Sequence, residues 1–168
     1  ASHAESFQRL EELLKAACEA AKAMPGYTAT FELQEEVNNT LRPLETVSLK
    51  VRHEPFSVFM RWNDNGQEAL YVDGQNDNRL IVKPTTGFPA LRRVWRLEPE
   101  SRMAMRTCRY PITEIGMEIL AKRIYEFYQQ HRDKSHLAAF DHADSTLLGR
   151  EVKVVNVKFK DKETVPEY

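Results

Sequence analysis

The feature that most constrains this chain is a hairpin that is apolar on both sides. Residues 56–62 (Phe-Ser-Val-Phe-Met-Arg-Trp) and 67–73 (Gln-Glu-Ala-Leu-Tyr-Val-Asp) flank Asn63-Asp64-Asn65-Gly66. Turn-forming residues between two alternating runs signal a β-hairpin. Pairing Trp62 with Gln67 sets Arg61 opposite Glu68, Met60 opposite Ala69, Phe59 opposite Leu70 and Val58 opposite Tyr71. One face then carries Phe56, Val58, Met60, Trp62, Ala69 and Tyr71. The other carries Phe59, Leu70 and Val72 beside the Arg61/Glu68 pair. A sheet with one solvated side would be polar there. Both sides of the hairpin are therefore expected to be covered. Either the sheet rolls around a packed core, or it curves and its concave side holds an apolar cavity.

The flanking sequence supplies more strands and two helices. Phe7, Leu10, Leu13, Leu14, Ala17, Cys18 and Ala21 follow helical spacing, which predicts a helix over residues 5–24, stopped by Pro25-Gly26. Period two then takes over in residues 27–37 and again in 44–54, with a turn at Asn38-Asn39 and an interruption at Pro55. Residues 79–83 and 92–98 read as further strands around a loop at 84–90, so the sheet is expected over 27–98. A second helix is expected over 113–131, with Thr113 as N-cap, followed by a polar loop over 132–146. Residues 150–160 return to strand, and the charged tail 161–168 is expected to fray. This order predicts an α+β fold of one domain over residues 1–168: a single antiparallel sheet with the hairpin at its centre, covered by two helices.

Composition narrows the function classes. The 168 residues suit one domain that buries roughly two-thirds of its unfolded surface, enough for a core without metals or disulfides. Lys+Arg is 24 and Asp+Glu is 25, for a formal net charge of -1. That balance argues against a generally basic nucleic-acid binder, though not against a local basic patch. No apolar run approaches the roughly 18 residues of a membrane helix. A start at Ala1-Ser2-His3 fits either cleavage after a small-residue site or a scar of expression. Cys18 and Cys108 form either one disulfide or two free buried thiols.

Three stretches resemble a known family. Residues 50–62, residues 66–80 with the run Glu-Ala-Leu-Tyr-Val-Asp-Gly-Gln-Asn-Asp, and residues 104–120 with Arg-Tyr-Pro-Ile-Thr-Glu-Ile-Gly are similar to secreted bacterial proteins known only as a domain of unknown function. The resemblance runs from about residue 27 to residue 160. By its order of strands and helices, that family is similar in organisation to the periplasmic lipoprotein carriers LolA and LolB. The resemblance implies a curved half-barrel closed by helices over an apolar cavity, and a periplasmic or secreted location. A half-barrel of that kind is expected to continue beyond 150–160. Either the chain is truncated, or its last strand leaves an open edge that invites a protein partner or a homodimer.

Catalytic chemistry finds little purchase. His131, His136, Asp141, His142 and Asp144 crowd one segment, but their spacing matches no compact zinc motif, so no metal is expected. Neither Cys18 nor Cys108 stands in a nucleophile signature, and the six scattered glycines form no phosphate loop, so no catalytic residue and no cofactor is expected. Arg92, Arg93, Arg96, Arg102, Arg106 and Arg109, interleaved with Trp95 and Met105, either meet anionic headgroups or decorate a sheet rim and pair with Glu98, Glu100 and Glu114. The expected function is a non-enzymatic, exported carrier for a lipid or acyl chain. Phe31, Leu33, Leu49, Val51, Met60, Trp62, Tyr71 and Trp95 would line its site. The alternatives are a protein-interaction module with a closed core and, further off, an enzyme on the same scaffold.

Overall fold

Alternation of apolar and polar residues becomes strand pairing in a computed structural model that describes residues 3–85, 93–132 and 137–159. The main strands are β1 (Gly26–Leu33), β4 (Glu45–Arg52), β5 (Ser57–Trp62), β6 (Glu68–Val72), β7 (Leu80–Lys83) and β8 (Trp95–Leu97). They form one antiparallel sheet in the order β1-β4-β5-β6-β7-β8, which does not close on itself. Between β1 and β4 runs a small ribbon, β2 (Glu36–Val37) and β3 (Thr40–Leu41). It turns at Asn38 and Asn39, whose φ values of 53° and 59° suit a two-residue hairpin.

The expected hairpin sits at the centre of the sheet. Its register is Arg61 opposite Glu68, Met60 opposite Ala69, Phe59 opposite Leu70 and Val58 opposite Tyr71. The turn closes with Trp62 N–H donating to the Gln67 carbonyl at 2.9 Å and Gly66 N–H to the Trp62 carbonyl at 2.8 Å. Glu68 directs its carboxylate to Lys83 of β7, at 3.4 Å.

The chain forms two compact units, residues 22–117 and residues 1–21 with 118–168. The first holds the six-stranded sheet. Pairing gives one of its faces two long apolar rungs. Tyr27, Val51, Val58 and Tyr71 stand side by side, with Leu80 and Leu97 continuing the row on β7 and β8. Ala29, Leu49, Met60, Ala69, Val82 and Trp95 make the next. Val47 and Val58 are fully buried. Within the unit, residues that pack on this face include Ala104, Ile112 and Ile115, from a stretch built of short 3-10 turns.

The reverse face is buried at Ser57 and Val72 but opens at the next rung, where Leu70 is 37% exposed. Lys50, Arg61 and Lys83 around it are exposed as well. Cover on both sides, which the hairpin pattern implies, is thus partial here. Lys50 contributes to it, its Nζ standing over the Phe59 ring 5.7 Å from the ring centre.

The second unit pairs the helices α1 (His3–Ala23) and α2 (Met117–His131) with β9 (Leu137–Leu147) and β10 (Arg150–Phe159). Leu10 and Tyr128 are its buried centre, with Phe7, Leu14, Tyr125 and Val155 packed around them. The Tyr128 hydroxyl donates to the Phe7 carbonyl at 3.0 Å. Glu11 joins the helices through Arg132 at 2.7 Å and holds Lys15 of its own helix at 2.9 Å.

Two expectations fail here. α2 begins at Met117 rather than at a Thr113 cap, because Gly116 takes a φ of 142° that no helix continues and residues 112–114 form only a 3-10 turn. The Met117 N–H donates to the Tyr27 hydroxyl at 2.9 Å. The loop expected over 132–146 is, from Leu137 on, a strand (Leu137–Leu147) paired along β10. The signal is Leu148-Gly149, a two-residue turn with both φ values positive at 52° and 75°. Residues 133–136 and the tail 161–168 lie outside the described residues.

Two outcomes follow. Met60→Ala should cost roughly 2–5 kcal/mol in urea denaturation, whereas Leu70→Ala on the open reverse face should cost less than about 1 kcal/mol. The Glu11 carboxyl is held below its ordinary value, chiefly by the hydrogen bond from Lys15. A depressed carboxylate contributes stability above its unfolded pKa and loses it as pH falls through the folded one. Wild type should therefore exceed Glu11→Gln in thermal midpoint at neutral pH, and the gap should close below about pH 4.

Candidate functional site

The apolar sheet face is where the expected ligand residues meet. Seven of the eight lie on β1, β4, β5 and β6, and Trp95 lies on β8; their register positions put all on one face. They fall into two groups. Leu49, Val51, Met60 and Tyr71 are buried in the central cluster. Phe31, Leu33, Trp62 and Trp95 remain half-buried toward its margins. At one margin Phe31 stands beside Val47, which stands beside Trp62. The Trp62 indole N–H donates to a Glu45 carboxylate oxygen at 3.1 Å, which gives this apolar edge a polar handle.

Alternation alone also identifies Val47, Val58, Leu80 and Val82 as members of the face. Ile112 and Ile115 could not be found that way, because they come from a segment without a regular period. Their stretch is held by short-range bonds. Met105 N–H donates to the Ser101 carbonyl at 2.9 Å, Glu114 N–H to Pro111 at 2.9 Å and Ile115 N–H to Ile112 at 3.3 Å. One longer strap is added by Glu35, whose carboxylate accepts from the Arg109 N–H at 3.0 Å.

Two titratable groups of this unit and one of the other are shifted upward. Burial, and after it the Asp73 carboxylate, pushes the Tyr71 phenol up. Burial and Glu35 push the Cys108 thiol up, which keeps it protonated at neutral pH. Cys18, pushed up by burial and then by Glu126 and Glu19, is a free thiol like Cys108. Among the described residues no three His, Cys, Asp or Glu side chains group closely enough to hold a metal ion. His136 lies outside the described residues.

The arginine-rich segment does not act as one patch. Arg96 faces the reverse side, opposite Ile81. Glu98 is engaged by Arg79 at 3.2 Å. Arg102, Arg106 and Arg109 are exposed on the turn-rich stretch, and Arg92 lies outside the described residues. In the second unit a polar hollow of about 480 Å³ lies along β9 and β10, lined by Asp144, Ser145, Thr146, Glu151, Val152 and Lys153. Within it Lys153 pairs with Asp144 at 2.7 Å. None of the expected ligand residues borders it.

No helix among the described residues is long and apolar enough to cross a membrane. Comparison with curated proteins and with solved structures finds no match. A family model described as protein of unknown function (DUF1571) matches residues 24–168, which takes in the whole six-stranded sheet, its turn-rich cover, α2 and the β9–β10 hairpin. The chain belongs to the DUF1571 family.

Proposed function

We propose that the protein is a non-enzymatic, exported binding protein that holds a hydrophobic or amphiphilic ligand, a lipid or an acyl chain, against the apolar face of its sheet. The supporting observation is the continuity of that face. Apolar rungs cross all six strands, yet Phe31, Leu33, Trp62 and Trp95 at the margins are left half-buried. A packed core with no other task would gain by burying them. The cover is built of short 3-10 turns rather than a continuous helix or strand, so its displacement would open the rungs to a chain. Each methylene buried there contributes roughly 0.8 kcal/mol, so about ten of them outweigh the ordering cost of binding. Half-barrel curvature, kinship with the lipoprotein carriers and a periplasmic location belong to this proposal.

A second reading has its own support. Leu49, Val51, Met60 and Tyr71 are already buried against the protein's own residues, as in a closed core. On that reading the protein is an interaction module, with β1 and β8 as the sheet edges open to a partner or a second copy.

Titration with a fluorescent fatty-acid analogue separates the two. The carrier reading expects saturable binding, weakened about fivefold by Trp62→Ala or Phe31→Ala, the equivalent of roughly 1 kcal/mol of lost apolar contact. Both variants should stay folded, since neither position is fully buried. A wild type that binds no analogue leaves the interaction module as the account of this chain.

A further inference from the structure

The reverse face of the sheet carries a second chemistry. Across its middle, Phe59, Leu70 and Ile81 stand side by side on β5, β6 and β7. Register puts Lys50 at one end of this stripe and Arg96 at the other. Arg61 and Lys83 occupy the neighbouring rung with Glu68. Counting Arg52 and Arg79 as well, the described residues of this face hold six basic side chains against the acids Glu32, Glu68 and Glu98, a surplus of three positive charges. The whole chain has a net charge of -1, so the surplus is local.

Pairing sharpens it. Glu68 is engaged by Lys83 and Glu98 by Arg79. Arg61 and Arg96 make no ion pair among the described residues. The Lys50 ammonium lies over the Phe59 ring, 5.7 Å from its centre. The stripe belongs to interior strands whose backbone groups are already paired, so a peptide cannot add to it as a strand. What such a surface fits is a broad anionic plane with an apolar layer beneath it. Apolar residues enter the headgroup boundary while the arms of Lys and Arg reach the phosphates.

We infer that the Phe59–Leu70–Ile81 face docks the protein on an anionic lipid bilayer. Its opposite face, with Trp62 and Phe31, stays free for the proposed ligand. The contact is reversible, because three partly exposed apolar side chains anchor far less than a lipid chain.

Co-flotation of the full chain with vesicles tests this. Binding to phosphatidylglycerol/phosphatidylcholine vesicles should exceed binding to pure phosphatidylcholine vesicles at least tenfold at low salt, and should fall as salt rises. Each basic residue at the surface contributes about fivefold, so Lys50→Glu with Arg61→Glu should lower binding about 25-fold or more. Leu70→Ser should lower it severalfold. All these positions are exposed or half-buried, and circular dichroism checks that each variant is folded. The same charge change placed elsewhere, Arg9→Glu with Lys122→Glu, should matter little. Equal loss in that control, no preference for anionic vesicles, or binding indifferent to Leu70→Ser overturns the inference. The last of these would point to an acidic protein as partner.

Discussion

Cross-strand contact between apolar side chains on one face of the sheet is what the rest of unit 22–117 depends on. The rungs through Val51–Val58–Tyr71 and Leu49–Met60–Ala69 bring together residues from strands that a β-hairpin alone would leave marginal. A one-residue slip between β4 and β5 would set Met60 among Lys50 and Arg52 and turn Phe59 and Arg61 inward. Register and core are thus one constraint. The turn-rich cover follows from it: Ile112 and Ile115 have an apolar surface to rest on, and Gly116 frees the chain to leave it and start α2.

The two faces of the sheet divide the chemistry. On one, apolar rungs exclude water and raise the pKa of Tyr71 by burial. On the other, Phe59 and Leu70 lie among the exposed Lys50, Arg61 and Lys83, with the Lys50 ammonium over the Phe59 ring. This explains how a hairpin can be apolar on both sides without being buried on both. The ambiguity in the pattern lies in the long basic side chains, which count as polar by type but behave as partial cover.

Much of the fold was legible in the residues, because periodicity reports local geometry directly. Helix α1, the strands of the sheet and the central hairpin register all follow from period 3.6 or period 2 with turn residues between them. The misses share a cause. β9 carries Asp141, His142, Asp144 and Ser145, which look like loop, and its strand character comes from pairing with the valines of β10 rather than from its own side chains. The cover over the sheet escaped because irregular backbone has no period, although Ala104, Ile112 and Ile115 contribute to the core as strand residues do. For the candidate site, strand register brings the eight named residues to one face. Their split into buried and half-buried groups needed the third dimension, since Met60 and Trp62 sit two residues apart on one strand with different surroundings.

The claim that this face serves a ligand is tested most directly by native mass spectrometry of the protein as purified from a host that exports it. The expected result is a folded protein carrying an adduct with the mass of a lipid or fatty acid, and an adduct population reduced in Trp62→Ala. A folded protein of bare polypeptide mass, unchanged after incubation with phospholipid or fatty acid, would contradict it.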